Sequence, residues 1–193
     1  MIISGTGVPL KKNNIDTDQI IPAEFCLSIQ RESFSKALFG RWRKEENFIL
    51  NNESYDDGTI LVVGKSFATG SSREYAVWAL KDYGFKIIVA ENFGEIFYKN
   101  SIINKLLPLK VEYKTIKKIW TILENDSKAK IEFNLKKNEL KIKGRVYSFS
   151  ISDEAKNKYM KSEDDITSTL NDIHEIKKFE QKHLSNLLNI KRR

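Results

Sequence analysis

Residues 64–84 read GKSFATGSSREYAVWALKDYG, and they place Ser71, Ser72 and Arg73 together between an apolar run and an amphipathic segment. A helix start offers free backbone N–H groups and the positive end of a dipole, both of which suit a carboxylate. A neighbouring guanidinium grips such a group through two parallel hydrogen bonds. A serine in that setting ionises more easily than usual and can carry a proton. A structural role competes with this one: Ser71 and Glu74 fit the S-x-x-E capping box, in which the hydroxyl accepts the third helical N–H. Capping accounts for Ser71 but leaves Ser72 and Arg73 unexplained. The GKS at 64–66 does not make a phosphate-binding loop, because that motif needs a glycine five positions before Gly64, where Thr59 stands.

A second candidate lies upstream in NNIDTDQIIP, residues 13–22, where Asp16 and Asp18 flank Thr17. An Asx-type turn is the ordinary reading. If this loop meets the serine loop in space, Asp18 can orient a protonated or cationic partner. His174 and His183 stand nine apart near the end of the chain, away from every motif and without the i, i+4 spacing of a metal pair. They read as surface residues, and Trp78, Phe93, Phe97 and Trp120 read as core.

These residues need elements to hold them. The run TILVVG is short, continuous and β-branched, so it predicts a buried strand. Behind it Ala76, Ala79, Leu80 and Tyr83 follow helical spacing, with Gly84 where a helix-terminating glycine belongs. FKIIVAE repeats the strand pattern, NFGEIFYKNSIINKLL the helix pattern, and LPLKVEY gives a third strand. Such alternation implies crossover helices and neighbouring parallel strands. AKIEFNL and ELKIKGRVYSFSI alternate in period two about KKN and read as antiparallel strands. VPL and QII are short apolar pieces around a polar turn, ESFSKALFGRWRKEENFIL is a partly helical excursion, and EDDITSTL to HLSNLLNI is helical. The fold class expected is α/β, a single compact domain over 1–193 with a C-terminal helical extension from about residue 153.

With 193 residues, 40% apolar and 31% charged, the chain can bury a full core. No apolar run approaches the roughly 20 residues of a membrane span, so a cytoplasmic protein with no membrane partner is expected. The net charge of +7 comes mainly from lysines scattered among acidic residues. Nucleic-acid surfaces favour clustered arginine with stacking aromatics, and the only tight basic cluster is the terminal KRR. Nucleic acid is therefore not expected as a partner. The single cysteine, Cys26, cannot supply the four or so ligands of a zinc or iron–sulfur site, so no metal is expected on this chain.

Taken in order, VPL…NNIDTDQIIP, ALFGRWR, GSSREYAVWALKDYGFKIIVAENFGEIFYKN and NKLLPLKV resemble the small subunits of 3-isopropylmalate dehydratase, from about residue 5 to about residue 152. That family resembles the swivelling C-terminal domain of aconitase, an α/β domain with β/β/α layers and a partly parallel sheet. The resemblance implies a hydro-lyase of leucine biosynthesis, active only with a large subunit that carries a [4Fe–4S] cluster. By the same resemblance Ser71 is the catalytic base, Ser72 and Arg73 bind substrate, and Asp18 is an active-site aspartate. The segment from Glu24 through Arg43, Arg31 included, matches the part that recognises the substrate side chain.

The chain departs from the usual family pattern at three places. Tyr75 stands where histidine is usual, Thr69-Gly70 where Cys-Gly is usual, and Arg31-Glu32-Ser33 where Arg-Thr-Gly is usual. Ser71, Ser72, Arg73 and Asp18 are all in place. The substrate expected is a small 2-hydroxy diacid, with 2-isopropylmalate first. A related hydro-lyase of citraconate, 2-methylmalate or homoaconitate type keeps the chemistry and changes the side chain. A non-catalytic basic binding protein on the same fold is the reading from another class.

Overall fold

Three apolar runs form the parallel strands at one end of the main sheet of the computed structural model, which describes residues 1–26, 34–70, 74–160 and 173–190. They are β3 (Gly58–Val62), β5 (Ile87–Ala90) and β6 (Leu107–Lys110). All three lie side by side and parallel. Ahead of them in sequence are β1 (Ile2–Pro9), β2 (Ile15–Asp16), α1 (Thr17–Ile20), α2 (Ala23–Cys26) and α3 (Phe34–Ala37). After β3 come β4 (Phe67–Thr69) and α4 (Glu74–Tyr83), and α5 (Glu95–Ile103) joins β5 to β6. Helix α6 (Tyr113–Asn125) leads to β7 (Lys130–Asn134), β8 (Glu139–Ile142) and β9 (Arg145–Ser148), and then to α7 (Asp153–Met160).

Among the described residues the main sheet has seven strands in the order β6-β5-β3-β1-β7-β8-β9. Side chains alternate across a strand, so residues two apart share a face. Ile60, Val62, Ile87, Val89, Leu107 and Leu109 join one buried cluster with Ile116, Ile119 and Trp120 of α6. Leu61, Val63, Ile88 and Ala90 join the other with Ala76, Ala79 and Leu80 of α4. The parallel half is thus covered on both faces. In the antiparallel half Ile131, Phe133, Leu140 and Ile142 are buried while Lys130, Glu132, Glu139 and Lys141 are exposed. One covered face and one wet face is the pattern such sheets take.

Helix α4 ends as its sequence predicts. Gly84 has φ +117°, its N–H donates to Lys81 O at 2.9 Å, and the Phe85 N–H donates to Leu80 O at 3.1 Å. These two bonds are the Schellman pair that satisfies the last carbonyls of a helix.

Three features differ from the sequence reading. First, the opening residues, read only as a short apolar piece at VPL, form β1, an interior strand that pairs in parallel with β3 and antiparallel with β7. Its first residues are only partly covered, and Gly5 and the buried Gly7 interrupt the run, which hides the apolar pattern. Second, α6 fills a stretch to which no element was assigned, although Ile116, Ile119, Trp120 and Leu123 keep helical spacing and are all buried. Third, ELKIKGRVYSFSI holds two strands rather than one. Lys143 and Gly144 both have positive φ, 46° and 74°, and turn the chain between β8 and β9.

The chain divides into two compact units, Met1–Tyr159 and Met160–Arg193. Ile151 and Ala155 are buried in the α6 cluster, so the start of α7 belongs to the first unit. The second unit contains α8 (Ile173–Ile190), where His174 and His183 are exposed and the rings of Phe179 and His183 stack at 5.7 Å. Among the described residues no helix is long and apolar enough to cross a membrane.

Candidate active site

The two motifs singled out in the sequence meet at the second, smaller sheet. The Gly64 N–H donates to Lys12 O at 3.0 Å, the Asn14 N–H to Lys65 O at 2.8 Å, and the Lys65 N–H to Asn13 Oδ1 at 2.9 Å. Laid side by side in this way, β2 pairs in parallel with β4, Ile15 opposite Phe67 and Asp16 opposite Thr69. Gly70 follows directly. A Cβ placed on it would stand 3.8 Å from Asp16 Cβ and 3.9 Å from Thr17 Oγ1. The chain therefore enters the serine-arginine segment against the N-terminus of α1.

Within α1 the two aspartates have separate roles. Asp16 is the N-cap: its Oδ1 accepts the Gln19 N–H at 2.7 Å, and Gln19 Oε1 accepts the Asp16 N–H at 2.9 Å. This reciprocal pair satisfies two N–H groups. Thr17 is buried, at 2% exposure. Asp18, in the first turn, is half-buried.

Strand β4 is held from its other side by residues 92–94. The Phe67 N–H donates to Asn92 O at 3.0 Å, the Ser66 N–H to Asn92 Oδ1 at 2.5 Å, and the Gly94 N–H to Phe67 O at 2.9 Å. The strand is short and contorted. Ser66, Ala68 and Gly70 all have positive φ, 51°, 56° and 97°. Such conformations cost of order 1–3 kcal/mol each for residues with a Cβ and persist where surrounding structure fixes them. Here the fixing contacts are β2 on one side and Asn92–Gly94 on the other.

Beyond the segment, α4 starts at Glu74, whose Oε1 accepts a hydrogen bond from Asn104 Nδ2 at 2.8 Å. The capping box expected between Ser71 and Glu74 involves a serine outside the described residues, as are Ser72, Arg73 and Arg31. What the structure brings together is α1, on which Asp18 lies, and the two flanks of Ser71–Arg73, β4 and α4. The expected specificity segment also reaches α4 from within: the ring of Phe34 lies 5.4 Å from Tyr75 and 5.9 Å from Trp78.

Arg43, at the far end of that segment, is engaged elsewhere. Its Nη2 donates to Leu50 O at 3.3 Å and to Tyr83 OH at 3.1 Å, and its guanidinium lies 5.0 Å from the Tyr83 ring. It fastens the excursion to the end of α4. Arg41 forms an exposed pair with Glu24 at 3.3 Å. The aromatic residues read as core have that role: Phe97 and Trp120 are buried, Phe93 and Trp78 partly so. Asn92, Gly94 and Asn104 were not singled out from the sequence, since an asparagine or glycine in a helical pattern carries no mark of what it touches. Among the described residues no three His, Cys, Asp or Glu side chains come together as metal ligands.

A profile of the aconitase C-terminal domain matches residues 1–114. The 3-isopropylmalate dehydratase small subunit of Salinispora arenicola is 41% identical over 175 residues, covering 91% of this chain and 89% of the relative. That of Streptomyces coelicolor is 40% identical over 182 residues, covering 94% and 92%. Among solved structures, 3-isopropylmalate dehydratase from Methanocaldococcus jannaschii is similar with a TM-score of 0.63 and 25% identity, over 95% of this chain and 99% of that one. The four ordered motifs, the mixed sheet that carries them and this likeness along nearly the whole length agree: the chain belongs to the 3-isopropylmalate dehydratase small subunits, within the aconitase C-terminal domain family.

Proposed function

We propose that this chain is the small subunit of a cytoplasmic 3-isopropylmalate dehydratase, which interconverts 2-isopropylmalate and 3-isopropylmalate in leucine biosynthesis. The observation that carries the reading is the parallel pairing of Asp16 with Thr69, which sets the aspartate motif beside the entrance to Ser71–Arg73. Membership of the family supplies the reaction.

The reaction removes water and adds it back. A C–H proton and a hydroxyl leave adjacent carbons to give the alkene, and their return with exchanged positions gives the isomer. A proton beside a carboxylate is weakly acidic, so its removal needs a base and stabilisation of the charge that develops on that carboxylate. Ser71, as alkoxide, takes the proton and later returns it. Arg73, Ser72 and the backbone N–H groups at the start of α4 hold the carboxylate, and Asp18 orients the groups around the base. Arg31 and its neighbours contact the substrate side chain.

The residues of this chain do not fit a metal cluster: Cys26 is its single cysteine. A [4Fe–4S] cluster belongs on the large subunit, where it would supply Lewis-acid help to the departing hydroxyl.

The test is reconstitution. The purified chain is mixed anaerobically with a 3-isopropylmalate dehydratase large subunit, and alkene formation from 3-isopropylmalate is followed with each chain alone as a control. Activity confined to the mixture supports the proposal. A mixture that turns over a different 2-hydroxy diacid in preference replaces the substrate and keeps the chemistry.

A further inference from the structure

Helix α5 touches both flanks of the Ser71–Arg73 segment. At its N-cap, Gly94 donates its N–H to Phe67 O at 2.9 Å and lies against Ala68 and Thr69 of β4. At its C-cap, Asn104 reaches α4. The nine residues between span about 13 Å at the usual rise of a helix. One rigid element therefore meets the chain just before Gly70 and just after Arg73.

The Asn104 side chain is committed on all sides. Nδ2 donates to Glu74 Oε1 at 2.8 Å and to Asn100 O at 3.0 Å, while Oδ1 accepts from Trp78 Nε1 at 3.1 Å. The bond to Asn100 alone would serve as a helix cap. The other two cross to α4, and they reach residues four apart, which lie on one face of that helix. Gripped at two points one turn apart, α4 cannot roll about its axis without breaking one of the bonds. Trp78 passes the restraint on: its ring meets Tyr75 at 5.2 Å and Phe34 at 5.9 Å.

We propose that Asn104 is a positioning residue for the dehydratase reaction, fixing the first turn of α4, which follows directly on Ser71–Arg73. This rests on the proposed function. The bonds lie at the partly exposed rim of the fold, where a hydrogen bond adds little net stability. Their effect is on geometry, and misplacing reacting groups by about 1 Å can cost on the order of 10²-fold in rate.

Two measurements test the inference on full-length protein. In the chain alone, Asn104→Ala should raise amide exchange in peptides covering residues 70–78 by about tenfold or more, with β5 and β6 unchanged. In the reconstituted enzyme the same variant should lower kcat by about 10–100-fold and move KM by less than about threefold. Glu74→Ala should reproduce the direction of both effects and leaves the α5 cap intact, so it decides the matter if Asn104→Ala does not fold. Glu74→Gln keeps an acceptor oxygen and should stay within about threefold of wild type. Unchanged exchange at 70–78, or a kcat of both alanine variants within about threefold of wild type, overturns the role of Asn104. If the wild-type pair shows no turnover, the proposed function falls, while the exchange result still decides whether Asn104 restrains this turn.

Discussion

Gly94 sits against β4 so closely that a Cβ on it would overlap the carbonyl oxygen of Ala68 and lie 3.3 Å from Thr69 Cα. Its own φ of −58° is open to any residue, so what requires glycine is the approach of another backbone. Gly94→Ala must push β4 away and should cost about 1–3 kcal/mol, as overpacking does. Because β4 feeds Ser71, turnover of the assembled enzyme should fall as well. Gly84→Ala is the control: nothing lies within 4 Å of its added Cβ, so only the strain of φ +117° acts. A loss of about 1 kcal/mol or more with turnover retained is expected there. Urea midpoints and kcat on both variants check the contrast.

Ser71 should separate capping from catalysis. Glycine is tolerated at a cap at a cost of only a few tenths of a kcal/mol but carries no proton, so Ser71→Gly should assemble with the large subunit and remain folded. Turnover should drop by about 10²–10⁴-fold, the contribution of a general acid–base group. Turnover within about threefold of wild type would falsify the assignment of Ser71 as base.

Selectivity should lie in the segment from Cys26 to Arg31. Discrimination by apolar contact is worth about 1–3 kcal/mol per methylene-sized group, so substitutions there should change the ratio of kcat/KM between isopropyl and methyl substrates by about 10-fold or more. Turnover of the preferred substrate should change less. Equal ratios across several substitutions would place selectivity elsewhere.

Trp120 joins α6 to the sheet through a hydrogen bond from its Nε1 to Val62 O at 2.9 Å, and its side chain is buried. Trp120→Phe removes that bond and part of the ring. A loss of about 1–3 kcal/mol is expected from the two effects, read from denaturant midpoints with an unchanged m-value. Val62 O keeps the Leu10 N–H as a donor at 2.9 Å, which limits the cost.

Asp126 is held below the ordinary carboxylate range by its hydrogen bond with the Lys143 ammonium. A folded value below the unfolded one means stability that is present above the ordinary carboxylate range and lost as pH falls through the folded value. Asp126→Asn should therefore lower the urea midpoint at about pH 6, with the difference from wild type closing toward about pH 3. The pair is exposed, so added salt should shrink the difference. A gap that stays constant across this range would assign the effect to packing.

How far the sequence discloses this molecule depends on whether a residue's surroundings are local. β3, α4, β5, α5 and β6 could be read because their apolar periodicity and the glycine after Tyr83 are written within each element. α6 is equally legible from the helical spacing of Ile116, Ile119, Trp120 and Leu123. β1 was not legible: its place inside the sheet depends on strands at 58–62 and 130–134, and two glycines interrupt its pattern. At the candidate site the serine, arginine and aspartate residues stood out by type. The residues that hold their flanks, Asn92, Gly94 and Asn104, acquire meaning only from the contacts they make across the fold.

The interior position of β1 also bears on how the protein is made. Thr6 pairs with both Gly58 and Lys130, so β1 leaves the ribosome before either partner and waits for its second until residues 130–134 have emerged. Contacts so distant in sequence require large loops to close and slow folding. During synthesis β1, β3, β5 and β6 can assemble while the β7 side of β1 is still an open edge, and open edges invite pairing between chains. Expression yield should then be sensitive to truncation near β7 and improved by slower synthesis or chaperone supply.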